Sequence, residues 1–334
     1  MNVEYYTEWL RRQGHRVYQT ESSHWFDAGP GVFQAFPYHR LIAPSKNEIN
    51  KVMLRYGMVA LRYSTPLDSP GGRISYHVIA RQPYELASLK SQSRNGVKNG
   101  MKHFKIEQIS FERLATEGWA LQEDTLSRQG RLRSMNQQRW QRLCRSAIGL
   151  NGFEAWSATS NGDLAAAVIV CRMEDVFYVP YATSHSRFLA NHPNNVLFYS
   201  VTSDLLRRDG VKAIFFTVQS LDAPSNVDEF KFRMGLKAIA VRQRVDFSPV
   251  VKPFATHRIH SLVQKLLQRY PSSPALAKAE GMLRFHLEGS RPLTEQAWPE
   301  CVAAERQGLF GVPMPAESNT APALCTQVES PRAI

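Results

Sequence analysis

The stretch that decides the fold reads FEAWSATSNGDLAAAVIVCRMEDVFYVPYAT, residues 153–183. It contains three apolar runs, 153–158, 164–173 and 176–183, which are separated by Asn161-Gly162-Asp163 and by Glu174-Asp175. Short polar breaks of this kind are typical of hairpin turns between strands. The stretch is therefore predicted to form three consecutive antiparallel strands.

The next 65 or so residues alternate between helical and strand patterns. They predict a helix over 195–209, a strand over 213–218, a helix over 227–234 and a strand over 238–246. Gly210 and Gly235 follow the two helices, where glycine readily adopts the left-handed conformation that ends a helix. The predicted order is β-β-β-α-β-α-β, which belongs to the α+β class.

The flanking segments predict four parts of the chain. Residues 1–83 are rich in aromatic and turn residues and form an N-terminal partial lobe, with a helix over 3–13 and strands over 59–63 and 74–80. Residues 84–250 form the main domain, which opens with helices over 84–100, 111–130 and 136–148 and a strand over 105–109. Residues 251–310 hold two helices, 257–269 and 275–287, and residues 311–334 are predicted to be a disordered tail because they combine prolines with small polar residues.

Composition excludes several classes of protein. The chain has 334 residues, 43% of them hydrophobic, and no apolar run near the ~20 residues that span a bilayer. No leader pattern opens the chain, and the four cysteines lie far apart, which predicts a reduced, cytoplasmic protein. GxSxG is absent, so no hydrolase triad is expected, and neither GxGxxG nor a P-loop occurs. HExxH and CxxC are also absent, so no metal is expected.

The charge is strongly positive and some of it is regularly spaced. There are 41 Lys and Arg residues against 29 Asp and Glu, a net charge of +12. Lys90, Arg94, Lys98 and Lys102 recur every four residues, which places them on one ridge of a helix. Like charges at this spacing destabilise a helix by about 0.2–0.5 kcal/mol per pair. The ridge is either a solvated face or a surface that contacts phosphate.

Four motifs follow one another within residues 84–250. They are the basic helix at 93–100 (SRNGVKNG), the Arg-containing helix end at 126–131 (LSRQGR), the loop and helix at 194–210, and EFKFRMG at 229–235. In their order along the chain they resemble the GNAT acyltransferase superfamily, and within it the branch of Fem-type peptidoglycan aminoacyltransferases and BioF2-like acetyltransferase domains. EFKFRMG is similar to the FKxxFG element of that branch. Two features depart from the pattern. The acyl-CoA loop Q/R-x-x-G-x-G/A is absent, with residues 190–195 (ANHPNN) in its place, and Met234 replaces a phenylalanine.

This resemblance implies a GNAT-like fold and an acyl transfer from acetyl-CoA or another acyl-CoA to an amine. The acceptor is a small molecule, a sugar nucleotide or a peptidoglycan precursor. A literal Fem-like interpretation makes the donor an aminoacyl-tRNA, which the net charge also suits. The missing loop favours a third hypothesis, a non-catalytic anion-binding module on the same fold.

The resemblance also implies site residues. Lys231 matches a lysine near the reacting carbonyl or the donor phosphates; the alternative is a surface lysine. Asn194 and Asn195, at the start of a helix, either hold phosphate or simply cap the helix. Arg94 and Lys98 are candidates for acceptor binding; the alternative is a solvated face. His185, which follows the end of a predicted strand, and Tyr181, on the third predicted strand, are further candidates. Their alternatives are a solvated loop histidine and a tyrosine of the core or sheet face. For a general base, Asp222, Asp228, Glu229, His185 and His192 remain equivalent, since no spacing distinguishes them.

Overall fold

The computed structural model describes residues 3–131, 134–221, 228–271 and 273–310. Within them, eleven strands form one mixed sheet: β1 (Val17–Gln19), β2 (His24–Gly29), β3 (Val32–Phe36), β4 (Ala60–Thr65), β5 (Arg73–Ala80), β6 (Lys105–Ile109), β7 (Phe153–Ser160), β8 (Asp163–Met173), β9 (Val176–Ser184), β10 (Ala213–Val218) and β11 (Lys237–Phe247). The strand order in space is β1-β2-β3-β4-β11-β5-β10-β9-β8-β7-β6.

Eleven α-helices of the described residues cover the sheet. They are α1 (Val3–Arg12), α2 (Lys46–Tyr56), α3 (Ser91–His103), α4 (Phe111–Glu117), α5 (Trp119–Arg128), α6 (Gln137–Arg145), α7 (Pro193–Leu206), α8 (Glu229–Arg233), α9 (His257–Arg269), α10 (Pro274–Glu288) and α11 (Ala303–Phe310). Among these residues, no helix has both the length and the hydropathy required to cross a membrane.

The predicted meander is confirmed. β7, β8 and β9 pair antiparallel in sequence order, and the turns between them place Asn161, Gly162 and Glu174 in the left-handed region. α7, β10, α8 and β11 then follow, as the sequence pattern predicts. The α+β class and the order of these seven elements are correct. The sheet is larger than the predicted core, because it has eleven strands and the core has five strands and two helices.

Two predicted helices are wrong in extent. The single helix over 84–100 is instead a short 3-10 turn, Leu86–Ser88, followed by α3. Leu89 separates them because its backbone is extended and its side chain is buried in the core. The helix over 111–130 breaks at Gly118, where a Cβ atom would lie 3.2 Å from the ring of the buried Trp140.

The N-terminal segment lies in the same sheet as the main domain. β11 pairs with β4 on one side and with β5 on the other, so that Gln243 lies between Ser64 and Arg73. The five strands of residues 1–83 therefore extend the sheet without a gap. α10 packs against β11, with His286 Nδ1 2.7 Å from the Val245 carbonyl oxygen. The tail predicted at 311–334 lies outside the described residues.

Two apolar layers hold the sheet from opposite faces. One contains Trp9 of α1 and Trp140 of α6, and the other contains Val97 of α3 with Leu197 and Val201 of α7. Full burial of such a side chain contributes about 1.5–3 kcal/mol, which fixes the helices over the centre of the sheet. The two faces are called below the α1 face and the α7 face.

Candidate active site

The parallel strands β9 and β10, which lie next to the middle strand β5, separate along their length. β9 and β10 are paired at three positions only, the last of which joins Tyr178 to Phe215. β9 continues to Ser184 and β10 to Val218 without further pairing between them. Backbone groups along both strand edges are thus available to a ligand in the gap.

A bulge in each strand explains the separation. On β9, Val179 and Pro180 together oppose the single residue Val170 of β8, and proline has no N–H to donate to a neighbouring strand. On β10, Phe216 is the extra residue relative to β5. Each bulge bends its strand directly after the last β9–β10 pair, so the gap opens at that point.

A cavity of about 470 Å³ opens on the α1 face at this gap. Its walls come from α1, β2, β3, β4, β9 and β10, and aromatic side chains dominate them: Tyr6, Trp9, Phe26, Tyr38, Tyr178, Tyr181, Phe215 and Phe216. Val179 and Phe216, which pack with α7 on the other face, also line the cavity. The cavity therefore extends into the gap between the strands. Its volume suits a small molecule or one end of a larger one.

The phenol groups of this cavity are neutral hydrogen-bonding groups. Burial raises the pKa of Tyr6, Tyr38 and Tyr178 well above the ordinary value, and that of Tyr181 to about 12. The Tyr6 and Tyr38 hydroxyls lie 3.2 Å apart, and the Tyr178 hydroxyl contacts His39 Nδ1. Such groups can orient a polar substrate or donate to a developing negative charge without ionising themselves.

A histidine paired with a carboxylate lines the same cavity. His15 Nδ1 lies 2.8 Å from Asp27 Oδ1, and the Arg16 backbone N–H donates to the same oxygen at 3.1 Å. The contact between His15 and Asp27 fixes the imidazole ring. His15 Nε2 has no hydrogen bond to any described residue. An imidazole oriented by a carboxylate is an arrangement that suits proton transfer.

On the α7 face, two glycines let α3 approach the start of α7. A Cβ atom at Gly100 would lie 2.7 Å from Val196 Cγ1 and 3.0 Å from the His192 carbonyl oxygen. At Gly96 it would lie 3.0 Å from Asn195 Nδ2. The glycines in the basic motif thus have a packing role, and they place the cationic helix beside the N-terminal end of α7.

Asn194 and Asn195 lie in the first turn of α7, and neither is its N-cap, which is His192 in a left-handed conformation. Asn194 Nδ2 donates to Ser184 Oγ at 3.1 Å, while Asn195 Nδ2 lies 3.5 Å from Met234 Sδ of the segment after α8. The two amides therefore connect α7 to the end of β9 and to α8. A helix N-terminus at the end of a strand is suited to bind phosphate.

Lys231 is held by an acidic partner. Its Nζ lies 2.5 Å from Oδ1 of Asp228, whose side chain is 1% exposed and also accepts a hydrogen bond from Tyr76 at 3.0 Å. Burial and the Asp228 charge raise the pKa of Tyr76. Lys231 lies on the α7 face, beside the phenylalanines of α8, and does not line the aromatic cavity.

The four candidates for acceptor binding are dispersed. Tyr181 lines the cavity and packs edge-on to Trp9. Arg94 donates to the Ala87 carbonyl oxygen at 3.1 Å, and Lys98 is exposed on α3. His185 Nδ1 accepts from the Arg187 N–H at 3.3 Å, on the loop before α7. Arg94, Lys98 and His185 thus belong to the α7 face and only Tyr181 to the cavity.

Sequence reasoning missed His15 and Asp27, which are twelve residues apart and join only because β1 and β2 pair. Three of the general bases that the sequence predicted are not free to act in this site. Asp222 lies outside the described residues, Asp228 is bound to Lys231, and Glu229 pairs with Arg233 at 3.9 Å. The Arg-containing motif was a useful signal: Arg128 Nη2 donates to the Ser184 carbonyl oxygen at 2.7 Å, beside Asn194.

Among the described residues, one group has the composition of a metal site: the ligand atoms of His39, Glu174 and Asp175 lie within 4.8 Å of one another. Both carboxylates already pair with cations. Arg40 contacts Glu174, and Lys212 Nζ lies 2.8 Å from Asp175 Oδ2. These salt bridges account for the cluster, and the site residues described above include no further metal-ligating set.

No protein-family model and no curated protein matches the sequence. Among solved structures, the chain is similar to FemX, at 11% identity and a TM-score of 0.51, over 74% of this chain and 92% of that one. It is also similar to the C-terminal domain of a putative lysylphosphatidylglycerol synthetase from Agrobacterium fabrum (10% identity, TM-score 0.47, 72% and 86% covered). It is similar as well to a GCN5-related N-acetyltransferase from Kribbella flavida, at 10% identity and a TM-score of 0.42, over 75% of this chain and 96% of that one.

The chain therefore has a fold similar to that of FemX, which is the Fem-type fold that its motifs predicted.

Proposed function

We propose that the chain is an N-acyltransferase that moves an acyl group from acyl-CoA, or another acyl thioester, to an amine bound in the aromatic cavity. The observation that carries the proposal is the gap between β9 and β10, with the cavity on one face and the start of α7 on the other. A reaction between two substrates requires a place where both reacting groups meet, and the gap provides it.

The donor side of the proposal is the α7 face. An extended thioester arm lies in the gap, where the unpaired edges of β9 and β10 offer hydrogen bonds to its amides. Its phosphates bind at the first turn of α7, near Asn194 and Asn195, with Arg94 and Lys98 of α3 supplying positive charge. Lys231 stabilises the donor or the oxyanion from the same side; its contact with Asp228 fixes where the ammonium points.

The acceptor side is the cavity. The amine nitrogen attacks the thioester carbonyl carbon, and the carbon–sulfur bond breaks as the thiolate leaves. His15 Nε2 takes the proton that the amine loses, while Asp27 stabilises the resulting imidazolium. The buried phenols of Tyr38 and Tyr181 orient the acceptor. We place this reaction in the cytoplasm.

Aminoacyl-tRNA is the alternative donor, favoured by the net charge of +12 and by the cations of α3. Binding of tRNA weakens steeply with salt because counterions are released from its phosphates. The second alternative is a non-catalytic anion-binding module, which the missing Q/R-x-x-G-x-G/A loop favours. It binds the donor without turnover.

A thermal-shift screen with acetyl-CoA, longer acyl-CoAs, free CoA and tRNA separates these hypotheses, since a ligand in large excess over its Kd raises Tm. We expect acyl-CoA to raise Tm, and mass spectrometry to detect an acylated product when an amine panel is added. A shift with tRNA alone supports the Fem-like alternative. A shift with acyl-CoA but no product from any amine supports the binding module, and no shift at all contradicts the proposal.

A further inference from the structure

The segment from Val250 to Tyr270 carries an unusual amount of exposed apolar surface. Of the twelve large apolar side chains that are exposed among the described residues, six lie in these 21 residues: Val250, Phe254, Ile259, Leu262, Leu266 and Tyr270. Leu262 is 53% exposed and Tyr270 is 54% exposed. Concentrated apolar surface of this kind marks an interaction site more often than scattered single residues do.

The last four of these residues form one stripe along α9. At about 100° per residue, Ile259, Leu262 and Leu266 fall within an arc of about 60°, and Tyr270 follows directly as the C-cap residue of α9. We call them the apolar stripe. The helix is held at the opposite edge of its apolar face, where Val263 and Leu267 are half-buried and His260 Nε2 lies 3.0 Å from Glu280 Oε1 of α10. α10 thus covers one side of α9 and leaves the stripe uncovered.

Positive charge borders the stripe on the side away from α10. Arg258, Lys265 and Arg269 fall within an arc of about 40°, directly beside Leu262 on the helix surface. All three are exposed, and none pairs with a carboxylate of the described residues. From residue 247 to residue 279 the sequence contains five Lys and Arg residues and no Asp or Glu. The apolar stripe and the positively charged residues beside it therefore both face solvent.

We propose that α9 docks this protein on an anionic membrane surface. The helix lies in the plane of the bilayer, with the apolar stripe and Phe254 at the boundary between headgroups and acyl chains. Arg258, Lys265 and Arg269 contact the lipid phosphates. Amphipathic helices bind membranes in this way because apolar burial and attraction to anionic lipids add together.

The charge argues for a bilayer over a second copy of the chain. A two-fold interface formed by the stripe brings the same surface of two molecules together. Such an interface would bring Arg258, Lys265 and Arg269 of both copies close together, and each chain carries a net charge of +12. Like charges in such proximity disfavour association. An anionic membrane neutralises the same charges. The proposal does not depend on the proposed enzymatic function.

Vesicle co-sedimentation tests the proposal. We expect the full chain to sediment with vesicles of phosphatidylglycerol and phosphatidylcholine, and weakly with phosphatidylcholine alone. Leu262→Glu combined with Leu266→Glu is expected to reduce binding by at least tenfold, because two charges enter the apolar stripe. Replacing Arg258, Lys265 and Arg269 by Gln is expected to weaken binding by about fivefold per cation and to remove the preference for anionic lipid.

Matched variants on α2 serve as controls. Leu54→Glu changes a leucine that is 59% exposed on another helix and is compared with Leu262→Glu alone, while Gln at Lys46, Lys51 and Arg55 removes the same number of exposed charges as the triple Gln variant of α9. Both are expected to bind vesicles like the unaltered chain. The proposal is overturned if the chain does not bind anionic vesicles, or if the α9 and α2 variants lose binding equally. It is also overturned if light scattering detects a dimer that the Leu262→Glu substitution abolishes.

Discussion

His15 Nδ1 lies 2.8 Å from Asp27 Oδ1, at the wall of the aromatic cavity. If His15 accepts the amine proton, His15→Gln should lower kcat by about 10²–10⁴-fold, the usual contribution of a general base. Tm should change little because the ring is partly exposed. Steady-state rates with the amine identified by the screen provide the measurement. His257→Gln, at an exposed histidine far along the chain, is the control, and equal rates for the two variants would remove His15 from the mechanism.

Lys231 pairs with the buried carboxylate of Asp228, so loss of its charge affects the stability of the fold as well as the proposed site. Lys231→Met should destabilise the fold by about 1–3 kcal/mol, since it leaves a buried carboxylate with one hydrogen bond fewer. Adding Asp228→Asn should restore some of the loss. Urea unfolding of the two single variants and the double variant measures this coupling.

The corresponding control is Lys212→Met, which removes an exposed lysine from a pair with Asp175 and should change stability little. Turnover separates a structural role from a role in the reaction. If the double variant Lys231→Met/Asp228→Asn is stable and active at the normal rate, Lys231 acts only in folding.

Replacing a glycine by alanine should change the free energy of unfolding in opposite directions in α3 and in α11. Gly100→Ala should destabilise the fold by about 1–3 kcal/mol, because its Cβ would lie 2.7 Å from Val196 Cγ1 across the α3–α7 contact. Gly308→Ala in α11 has no atom within 4 Å of its Cβ and should stabilise by about 0.5–1 kcal/mol through helix propensity. Chemical denaturation measures both, and a neutral Gly100→Ala would contradict the close packing.

His77 predicts a loss of stability in acid. It is 4% exposed, bonds to Ser64 Oγ at 2.8 Å, and burial lowers its pKa from 6.5 to about 3. The unfolded chain binds a proton below pH 6.5, whereas the folded chain does not until about pH 3. The free energy of unfolding is therefore unaffected by this residue above pH 6.5. Below pH 6.5 it decreases as the pH is lowered, by about 2 kcal/mol at pH 5.

Urea unfolding at pH 7 and at pH 5 measures this effect, and His77→Gln should reduce the difference between the two conditions. His257→Gln, which alters an exposed histidine, should keep the whole difference. An unchanged pH dependence in the His77 variant would show that other groups cause the acid sensitivity.

The cations of α3 predict a salt-dependent affinity for the donor. Replacing Arg94 and Lys98 by Gln should weaken binding of the anionic donor and flatten its dependence on ionic strength. Stability should be unchanged or slightly higher, because like charges four residues apart repel each other. Isothermal titration at two salt concentrations measures both effects. The same change at Lys46 and Lys51 of α2 is the control, and equal effects would identify α3 as a solvated face.

The central architecture could be predicted from the sequence because its signals are local. The alternating runs and polar turns of 153–183 determine three strands, and β10 and α9 have the bounds that their periodicity predicts. Gly235 adopts the left-handed conformation expected directly after α8, whereas the prediction that Gly210 ends α7 is wrong, because α7 already ends at Leu206. Each of these patterns depends on residues a few positions apart, and such interactions persist whatever surrounds them.

The candidate site was decided by tertiary structure. Lys231 resembles a family position in sequence, yet its contact with Asp228 and the cavity on the other face emerge only once the chain is folded. The pair of His15 and Asp27 depends on the register between β1 and β2. The cavity depends on bulges in β9 and β10 that separate these neighbouring strands.

The sequence by itself thus determined the order of strands and helices from β7 to β11, the positive charge and the basic helix α3. Only the tertiary structure decided that β11 lies between β4 and β5, which joins the N-terminal strands to the main sheet. The physical reason is that strand pairing joins residues 150 or more positions apart, as in Arg62 opposite Val245. No local pattern selects such a partner; complementary packing across the whole sheet does.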